Sequence, residues 1–262
     1  MTKTHNIKIE MEIVMIGTGN TATVLGRMLK KAGHRIVQVF GRDPVAAGKL
    51  AIELETGSTG LWNYLYLDAD LYILAVSDVA ISGIITELRL KDKIIVHTAA
   101  SVSKDILKSA SNYYGVLYPL QSLKKEIVRI PEIPIIVDAS DEKTCTVLIK
   151  LARSISNQVV TGNDEQRLGF HLAAVFCNNF INHLYALAER FCRTEEIDFN
   201  LLLPLIKETA LRVNDLSPSA AQTGPAIRQD TDTIEKHLTL LKNYPQLTRI
   251  YTLLTESIFN NR

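Results

Sequence analysis

The sequence predicts a doubly wound, mostly parallel α/β sheet followed by an all-helical domain. Short apolar segments alternate with helical patterns up to residue 160, and no convincing strand follows that point. Strands that are apolar throughout are typical of a parallel sheet covered by helices on both faces. The stretch 161–164 has turn and helix-capping chemistry. We therefore expect a dinucleotide-type domain over 1–160 and a helical substrate or dimerisation domain over 161–262.

Each element follows from its own pattern. The apolar run 12–16 ends in glycine, and the helical pattern after it places Ala22, Leu25 and Leu29 on one face until Gly33 closes it. Alternating strand and helix patterns then predict strands at 35–40, 71–76, 93–97, 135–137 and 158–160, with helices at 44–55, 79–88, 103–110 and 141–155. Beyond these, the sequence predicts only helices, at 164–192, 197–214, 230–242 and 245–259.

The composition excludes several classes of protein. Of 262 residues, 47% are hydrophobic and 22% are charged, which is ordinary for a globular protein and rules out disorder, collagen and coiled coil. Lys and Arg number 29 against 28 Asp and Glu, so no overall field favours nucleic acid or a membrane surface. We expect a small-molecule substrate, no nucleic-acid partner and no membrane partner.

The cysteines and the start of the chain bear on location. Three cysteines without a Cys-x-x-Cys pair argue against a disulfide framework or a zinc site, so no metal is expected. Residues 1–11 lack the apolar core of a signal peptide, and no apolar run approaches the roughly 20 residues of a membrane helix. We therefore expect a cytoplasmic protein.

A glycine-rich loop follows the first strand, with the spacing Gly-x-Gly-x-x-Ala-x-x-x-Gly. Gly17 would make the tight turn, Gly19 would let a pyrophosphate approach the backbone, and Ala22 and Gly26 would let the helix pack close to the sheet. The start of that helix would present free N–H groups to the phosphates. The alternative is a plain tight turn. The remaining cofactor-binding residues predicted in this loop are Thr18, Asn20 and Thr21.

The end of the second strand indicates which dinucleotide binds. An NAD site needs an acidic side chain there, whereas this chain has Gly41 followed by Arg42. The planar guanidinium of an arginine suits the 2′-phosphate of NADP. Asp43 could instead pair with Arg42, and a solvated loop arginine is the alternative. We therefore expect NADP (NADPH) to be favoured over NAD.

Two further strand ends should border the cofactor, because ligands of open α/β sheets lie beyond the carboxyl ends of the strands. Val76, Ser77 and Asp78 follow one strand and are predicted to bind the cofactor. The small residues 98–101 follow the next strand, and Ser101 would lie near the nicotinamide and the substrate. The alternative is a simple strand-to-helix connection with a serine N-cap.

The long helix predicted over 164–192 carries a narrow polar stripe on an otherwise apolar surface. At 100° per residue, Asn178, Asn182 and Glu189 lie within about 20° of His171, and Arg167 and Tyr185 lie within about 40°. Because the rest of this helix is nearly all apolar, we expect it to be buried, with the stripe satisfied by a ligand in a cleft, by a partner helix or by a hydrogen-bond network. The alternative is the solvated face of an amphipathic helix.

His171 is the best candidate for acid–base catalysis, because its unperturbed pKa lies near neutrality. A structural histidine is the alternative, and His97 is a weaker candidate. Asn178 and Asn182 would orient the substrate. A rigid polar stretch after the sheet, 118–122, and a glycine–proline loop between helices, 222–228, add Gln121 and Arg228 as candidates for substrate binding, the arginine as an anchor for an acidic group. The alternative is that both are mere connections.

These motifs resemble a family. The chain is similar, over nearly its full length, to bacterial proteins that join a Rossmann-like domain to a DUF2520 domain, usually described as NADP-dependent oxidoreductases. The motifs that carry the resemblance are those at 17–20, 74–78, 118–121, 171–186 and 222–226. The resemblance implies a dinucleotide domain, a helical second domain and a homodimer formed through the helices.

The wider relatives resemble pyrroline-5-carboxylate reductase, 3-hydroxyisobutyrate dehydrogenase and 6-phosphogluconate dehydrogenase. The β-hydroxyacid enzymes among them have a lysine three residues before an Asn-Asn pair, where this chain has Val175 before Asn178-Asn179. Oxidation of β-hydroxyacids by the lysine mechanism is therefore not expected. The leading hypothesis is an NADP(H)-dependent oxidoreductase acting on a small carbonyl, imine or alcohol; the alternatives are a non-catalytic NADP-binding sensor or scaffold and hydride exchange with a deazaflavin.

Overall fold

The computed structural model describes residues 10–260. Their contacts divide the chain into two compact units, one ending at Asn179 and the other beginning at Phe180. The first unit contains a single eight-stranded sheet. Its strands are β1 (Glu12–Ile16), β2 (Arg35–Phe40), β3 (Gly57–Thr59), β4 (Leu71–Leu74), β5 (Lys91–His97), β6 (Ser111–Pro119), β7 (Ile135–Ala139) and β8 (Val159–Thr161).

The strands lie in the order β3-β2-β1-β4-β5-β6-β7-β8. Neighbouring strands from β3 to β6 run parallel, β7 runs antiparallel to β6, and β8 runs parallel to β7. The chain moves from β1 to β2 and β3 on one side, then returns to β4 on the other. This reversal between β1 and β4 opens a crevice at the carboxyl ends of the strands. The predicted fold class is confirmed.

The helices of the first unit are α1 (Asn20–Ala32), α2 (Pro44–Leu54), α3 (Asp78–Glu87), α4 (Glu142–Ile155) and α5 (Asp164–Ala174). The helix predicted over 103–110 is a 3-10 helix at Lys104–Ser109, which the Ser103 hydroxyl caps by accepting from the Asp105 N–H. A π-helical segment, Val175–Phe180, follows α5.

Two strands of the sheet are missed by the sequence patterns. β3 has only three residues, and β6 begins with polar residues that hide its periodicity. Residues 118–119 are therefore the end of β6, where the sequence predicted a polar stretch beyond the sheet. Gly115 is needed in this strand because a Cβ there would stand 2.3 Å from the Asp138 carbonyl oxygen of β7.

Apolar side chains cover both faces of the sheet. In β1, Ile13 and Met15 join one core cluster, which contains residues of α1, α2 and α4, whereas Val14 and Ile16 join a second cluster that contains Ile81 and Ile85 of α3. The side chains of a strand alternate between faces, so a strand covered on both sides must be apolar at every position.

The second unit is helical. It contains α6 (Ile181–Thr194), α7 (Leu203–Arg212), α8 (Pro225–Arg228), α9 (Thr231–Leu240) and α10 (Pro245–Asn260). Several of its large apolar side chains are exposed in the single chain, among them Leu201, Leu205, Leu211 and Leu253.

Two sequence expectations remain open at this level. The division by contacts falls after Asn179, and the predicted domain boundary at residue 160 stays a prediction. The expectation about a leader rests mostly on residues 1–9, which lie outside the described part of the chain. Among residues 10–260, no helix is long and apolar enough to cross a membrane.

Candidate functional site

A cleft of about 870 Å³ lies in the first unit where the sheet order reverses. The glycine-rich loop between β1 and α1 forms one wall, the end of β2 a second, and the start of α3 a third. Nine predicted cofactor-binding residues line it: Gly17, Thr18, Gly19, Asn20, Thr21, Gly41, Arg42, Val76 and Ser77.

Gly17 lies where only glycine fits. Its φ is 125°, and a Cβ on it would stand 2.2 Å from the Ala75 carbonyl oxygen at the end of β4. The Gly17 N–H donates to the Phe40 carbonyl at 2.9 Å, which ties the loop to β2. A Cβ on Gly19, in contrast, would meet nothing within 4 Å, so the backbone there borders open space. The loop is held tightly from behind and is bare on its cleft side.

Two helix starts border the cleft without a side-chain cap. α1 begins after Gly19 and α3 after Ser77, and in neither does a side chain accept from the first-turn N–H groups. The starts of α2, α4 and α5 are capped by Asp43, Asp141 and Asn163. Free N–H groups and the positive end of the helix dipole favour an anion such as a phosphate.

Arg42 and Asp43 have separate roles at the tip of β2. The Asp43 carboxylate accepts from the N–H groups of Val45 and Ala46 and so caps α2. The suggested pairing between Asp43 and Arg42 is therefore wrong. The Arg42 side chain is exposed, lines the cleft and makes no ion pair with any residue that the structure describes.

An aromatic pair at the cleft edge escapes the sequence patterns. The Phe40 and Trp62 rings stack with their centroids 3.8 Å apart and their planes at 17°. Both residues line the cleft. Trp62 lies just beyond β3, so missing that short strand removed the reason to place it here. The feature of the sequence that could have drawn attention to Trp62 is that it is the single tryptophan of the chain.

The other predicted cofactor residues lie behind or beside the cleft wall. Ala22 is completely buried in α1. A Cβ on Gly26 would stand 2.8 Å from a Leu54 methyl of α2, so Gly26 permits contact with that helix, whereas the sequence argument placed it against the sheet. The Asp78 carboxylate accepts from the Ser101 hydroxyl at 2.5 Å, which brings two predicted site residues together.

His97 ends β5 inside the protein. It is completely buried, and its Nδ1 accepts from the Ala99 N–H at 3.2 Å. Burial, reinforced by the charge of Arg167, lowers the pKa of His97 to about 4. A histidine that stays neutral and lies away from solvent is an internal hydrogen-bonding group, which explains why it is a poor candidate for proton exchange with a substrate.

Arg167 anchors α5 to the loop after β5. Its side chain has no exposed surface. Nε donates to the Ala100 carbonyl at 3.1 Å, and Nη2 donates to the Val102 carbonyl at 2.5 Å and to Asp164 at 2.8 Å. The sequence assigned Arg167 only to the polar stripe, since nothing local reveals that a guanidinium will be fully buried.

His171 lies one turn after Arg167 and is half-buried. Its Nδ1 lies 3.0 Å from the Tyr118 hydroxyl at the end of β6. Of the remaining predicted residues in the first unit, Gln121 and Asn178 are exposed, and the Gln121 side chain accepts from the Ser122 N–H. Asn182 and Arg228 belong to the second unit, in α6 and α8. Arg228 therefore ends a short helix that begins at Pro225, where the sequence predicted a loop.

The long helix departs from its predicted geometry. The π-helical segment 175–180 closes its hydrogen bonds over five residues, so positions beyond it rotate away from a uniform 100° pattern. The expectation of a single regular stripe from His171 to Glu189 is therefore wrong. The helix is also not buried within the single chain, because Leu172, Phe176 and Phe180 are all more than half exposed; burial against a partner helix stays a prediction.

Comparison with known proteins shows the family of the chain. The model "NADP oxidoreductase coenzyme F420-dependent" matches residues 12–101, and the "Domain of unknown function (DUF2520)" matches 133–258. A candidate NADP oxidoreductase from Bacteroides fragilis is 39% identical, with 96% of this chain and 99% of that chain covered and a TM-score of 0.90. The chain belongs to the family that joins these two domains. No curated protein matches it.

More distant structures share the fold of this family member. A pyrroline-5-carboxylate reductase from Streptococcus pyogenes is 16% identical at a TM-score of 0.66, covering 96% of this chain and 97% of that one. A reductive aminase from Aspergillus terreus, in complex with NADPH and ethyl-5-oxohexanoate, is 14% identical at a TM-score of 0.67, covering 97% and 96%.

Proposed function

We propose that this protein is an NADP(H)-dependent oxidoreductase that transfers hydride to or from a small carbonyl, imine or alcohol. The observation that carries the proposal is the cleft at the strand reversal, with a bare glycine loop and two uncapped helix starts. The open space at Gly19 fits the approach of a pyrophosphate to the backbone. Membership of a family with an NADP oxidoreductase domain supports the same reading.

The bound nicotinamide would supply or accept the hydride, and the chain's own residues would bind and orient. The first-turn N–H groups of α1 would hold the pyrophosphate, and Arg42 would hold the 2′-phosphate. The Phe40–Trp62 pair offers an aromatic wall at the cleft edge. NADP is favoured over NAD because the exposed Arg42 side chain lines the cleft at the tip of β2 without an ion-pair partner among the described residues, whereas Asp43 caps α2 through its Oδ1.

At the substrate end we propose that His171 donates or accepts a proton and that Asn178 and Ser101 help to orient the substrate. Gln121, Asn182 and Arg228 stay predictions as substrate-binding residues. The alternative function, a non-catalytic NADP-binding sensor or scaffold, uses the same cleft. It predicts cofactor binding without hydride transfer to any carbonyl, imine or alcohol.

The test is a titration of the full chain with NADPH and separately with NADH, followed by nicotinamide fluorescence. We expect NADPH to bind more tightly, and Arg42→Ala to weaken NADPH binding about 10- to 100-fold, because a hydrogen bond to a charged group contributes about 1.5–3 kcal/mol. NADH binding should change little. Arg153→Ala is the matched control, since Arg153 is an exposed arginine in α4 that does not line the cleft.

Binding of neither dinucleotide would refute the cofactor assignment. Equal loss of NADPH and NADH binding in Arg42→Ala would refute the role of Arg42 in selecting the 2′-phosphate. A screen of carbonyls, imines and alcohols with the protein that binds NADPH then separates the enzyme from the non-catalytic module, because only the enzyme oxidises or reduces the nicotinamide.

We also propose a homodimer formed through the helical part of the chain. Large exposed apolar side chains in the second unit, among them Leu201, Leu205 and Leu253, support it, since exposed apolar surface is characteristic of protein–protein interfaces. The mass in solution, measured by analytical ultracentrifugation, tests it. A cytoplasmic location stays a prediction that rests on the free cysteines Cys145, Cys177 and Cys192.

A further inference from the structure

The contact between Tyr118 and His171 joins the sheet to the first helix of the DUF2520 region. The Tyr118 hydroxyl and His171 Nδ1 are 3.0 Å apart, and the two rings meet edge to face at 76° with centroids 6.2 Å apart. Tyr118 is only 8% exposed, whereas His171 is half-buried. The tyrosine is therefore largely buried, whereas the imidazole that it contacts is partly accessible to solvent.

The Arg167 hydrogen bonds and the pairing of β6 with β7 determine the geometry of this contact. Arg167, one turn before His171, is held by the carbonyls of Ala100 and Val102 and by Asp164. These bonds fix α5 against the loop that follows β5. Tyr118 is fixed in turn by the pairing of β6 with β7, where Tyr118 is the partner of Ile136. The backbones that carry the two rings are therefore both held in position by contacts other than the one between Tyr118 and His171.

The direction of the hydrogen bond follows from the surroundings of the phenol. Burial raises the pKa of Tyr118, although the charge of Arg167 opposes this, so the hydroxyl keeps its proton at neutral pH. Among the described residues, the hydroxyl has no hydrogen-bond partner other than His171. If the imidazole donated instead, the hydroxyl hydrogen of this largely buried tyrosine would have no partner among the described residues, which is costly.

We propose that Tyr118 is a positioning residue whose hydroxyl donates to Nδ1 and so holds neutral His171 in the tautomer that carries its proton on Nε2. Resting on the proposed function, this assigns His171 the part of a fixed hydrogen-bond donor to the oxygen or nitrogen of a carbonyl or imine. An Nε2 that already carries a proton cannot act as a general base. The tautomer therefore favours binding and polarising the unsaturated substrate over removing a proton from an alcohol.

The test is the tautomeric state of His171, measured by ¹⁵N NMR of the labelled full chain at a pH where the ring is neutral, with assignment by His171→Gln. We expect a protonated Nε2 and an unprotonated Nδ1, with widely separated resonances. In Tyr118→Phe, which removes only the hydroxyl, the two resonances should move toward each other as the second tautomer becomes populated. A proton on Nδ1 in the unmodified protein would overturn the proposal. So would His171 resonances in Tyr118→Phe that are unchanged from those of the unmodified protein.

Two comparisons separate this role from a structural one. Tyr114→Phe is the matched control: it removes another hydroxyl from β6, one that bonds Asp105 at 3.3 Å, and should leave His171 unchanged. The pair His237 and Tyr251, with Nδ1 and hydroxyl 2.9 Å apart in the second unit, should also keep its resonances in Tyr118→Phe. Changes at His237 or in Tyr114→Phe would indicate general loosening and would refute a specific effect.

This measurement needs neither cofactor nor turnover, so its failure is distinguishable from failure of the proposed function. A chain that fails to bind NADPH and still shows the Tyr118-dependent tautomer would refute only the oxidoreductase. A chain that reduces a carbonyl or imine with His171 protonated on Nδ1 would refute only the positioning role.

Discussion

Protonation of His97 should destabilise the fold by an amount that the structure allows us to estimate. The histidine is completely buried, and its pKa is lowered from 6.5 to about 4 by burial and by the charge of Arg167. At pH values between 4 and 6.5, His97 is mostly protonated in the unfolded chain and mostly neutral in the folded chain. This group therefore leaves the free energy of unfolding unaffected well above pH 6.5, and it lowers that free energy as the pH falls through 6.5 toward 4.

The magnitude follows from the pKa difference. A pH of 5 lies about 1.5 units below the pKa of the unfolded histidine, which is therefore protonated, whereas the folded histidine is still mostly neutral. Each pH unit of this difference corresponds to about 1.36 kcal/mol. His97 should thus account for about 2 kcal/mol of lost stability between pH 7 and pH 5. This window lies above the range in which carboxylates such as Asp141 and Asp164, whose pKa values are lowered, take up protons.

The assay is urea unfolding of the full chain at pH 7 and pH 5. His97→Gln, which cannot charge, should lose about 2 kcal/mol less than the unmodified protein over this interval, whatever its stability at pH 7. His183→Gln, at an exposed position of α6, is the matched control and should keep the full loss. Equal losses in His97→Gln and the unmodified protein would refute the argument from burial.

Two further predictions concern the cleft. Gly17→Ala should abolish NADPH binding and lower the melting temperature, because its Cβ would stand 2.2 Å from the Ala75 carbonyl oxygen and a φ of 125° disfavours any side chain. The fluorescence titration measures the binding and calorimetry measures the melting temperature. Unchanged NADPH binding would contradict the tight turn. NADPH should quench the emission of Trp62, the single tryptophan, since its ring lines the cleft; constant emission at saturating NADPH would count against that placement.

Local patterns sufficed for much of the first unit. The strand 12–16, the helix closed by Gly33 and the strand 35–40 were predicted within a residue or two of β1, α1 and β2, because each carries its own periodicity and its own terminating residue. The glycine spacing likewise predicted the cleft wall, since a positive φ at Gly17 is a property of one residue and its immediate neighbours.

Long-range packing decided the rest. β6 shows no strand pattern because its first residues are polar, and pairing with β5 and β7 makes it a strand. The π-helical segment breaks a helical wheel that the sequence alone could only assume to be uniform. The long helix is not buried within the single chain, because the elements around it leave Leu172 and Phe176 exposed; composition shows that a surface is apolar, not what covers it.

The sequence by itself determined the fold class and the glycine loop, and it selected His171, because periodicity, turn chemistry and residue type are local properties. Only the tertiary structure decided what surrounds that histidine. Tyr118 stands 53 residues away along the chain, and Arg167 binds carbonyls more than 60 residues distant. Hydrogen bonds of such span depend on how strands and helices pack, and no spacing in the sequence encodes that a guanidinium will be buried or which hydroxyl will face an imidazole.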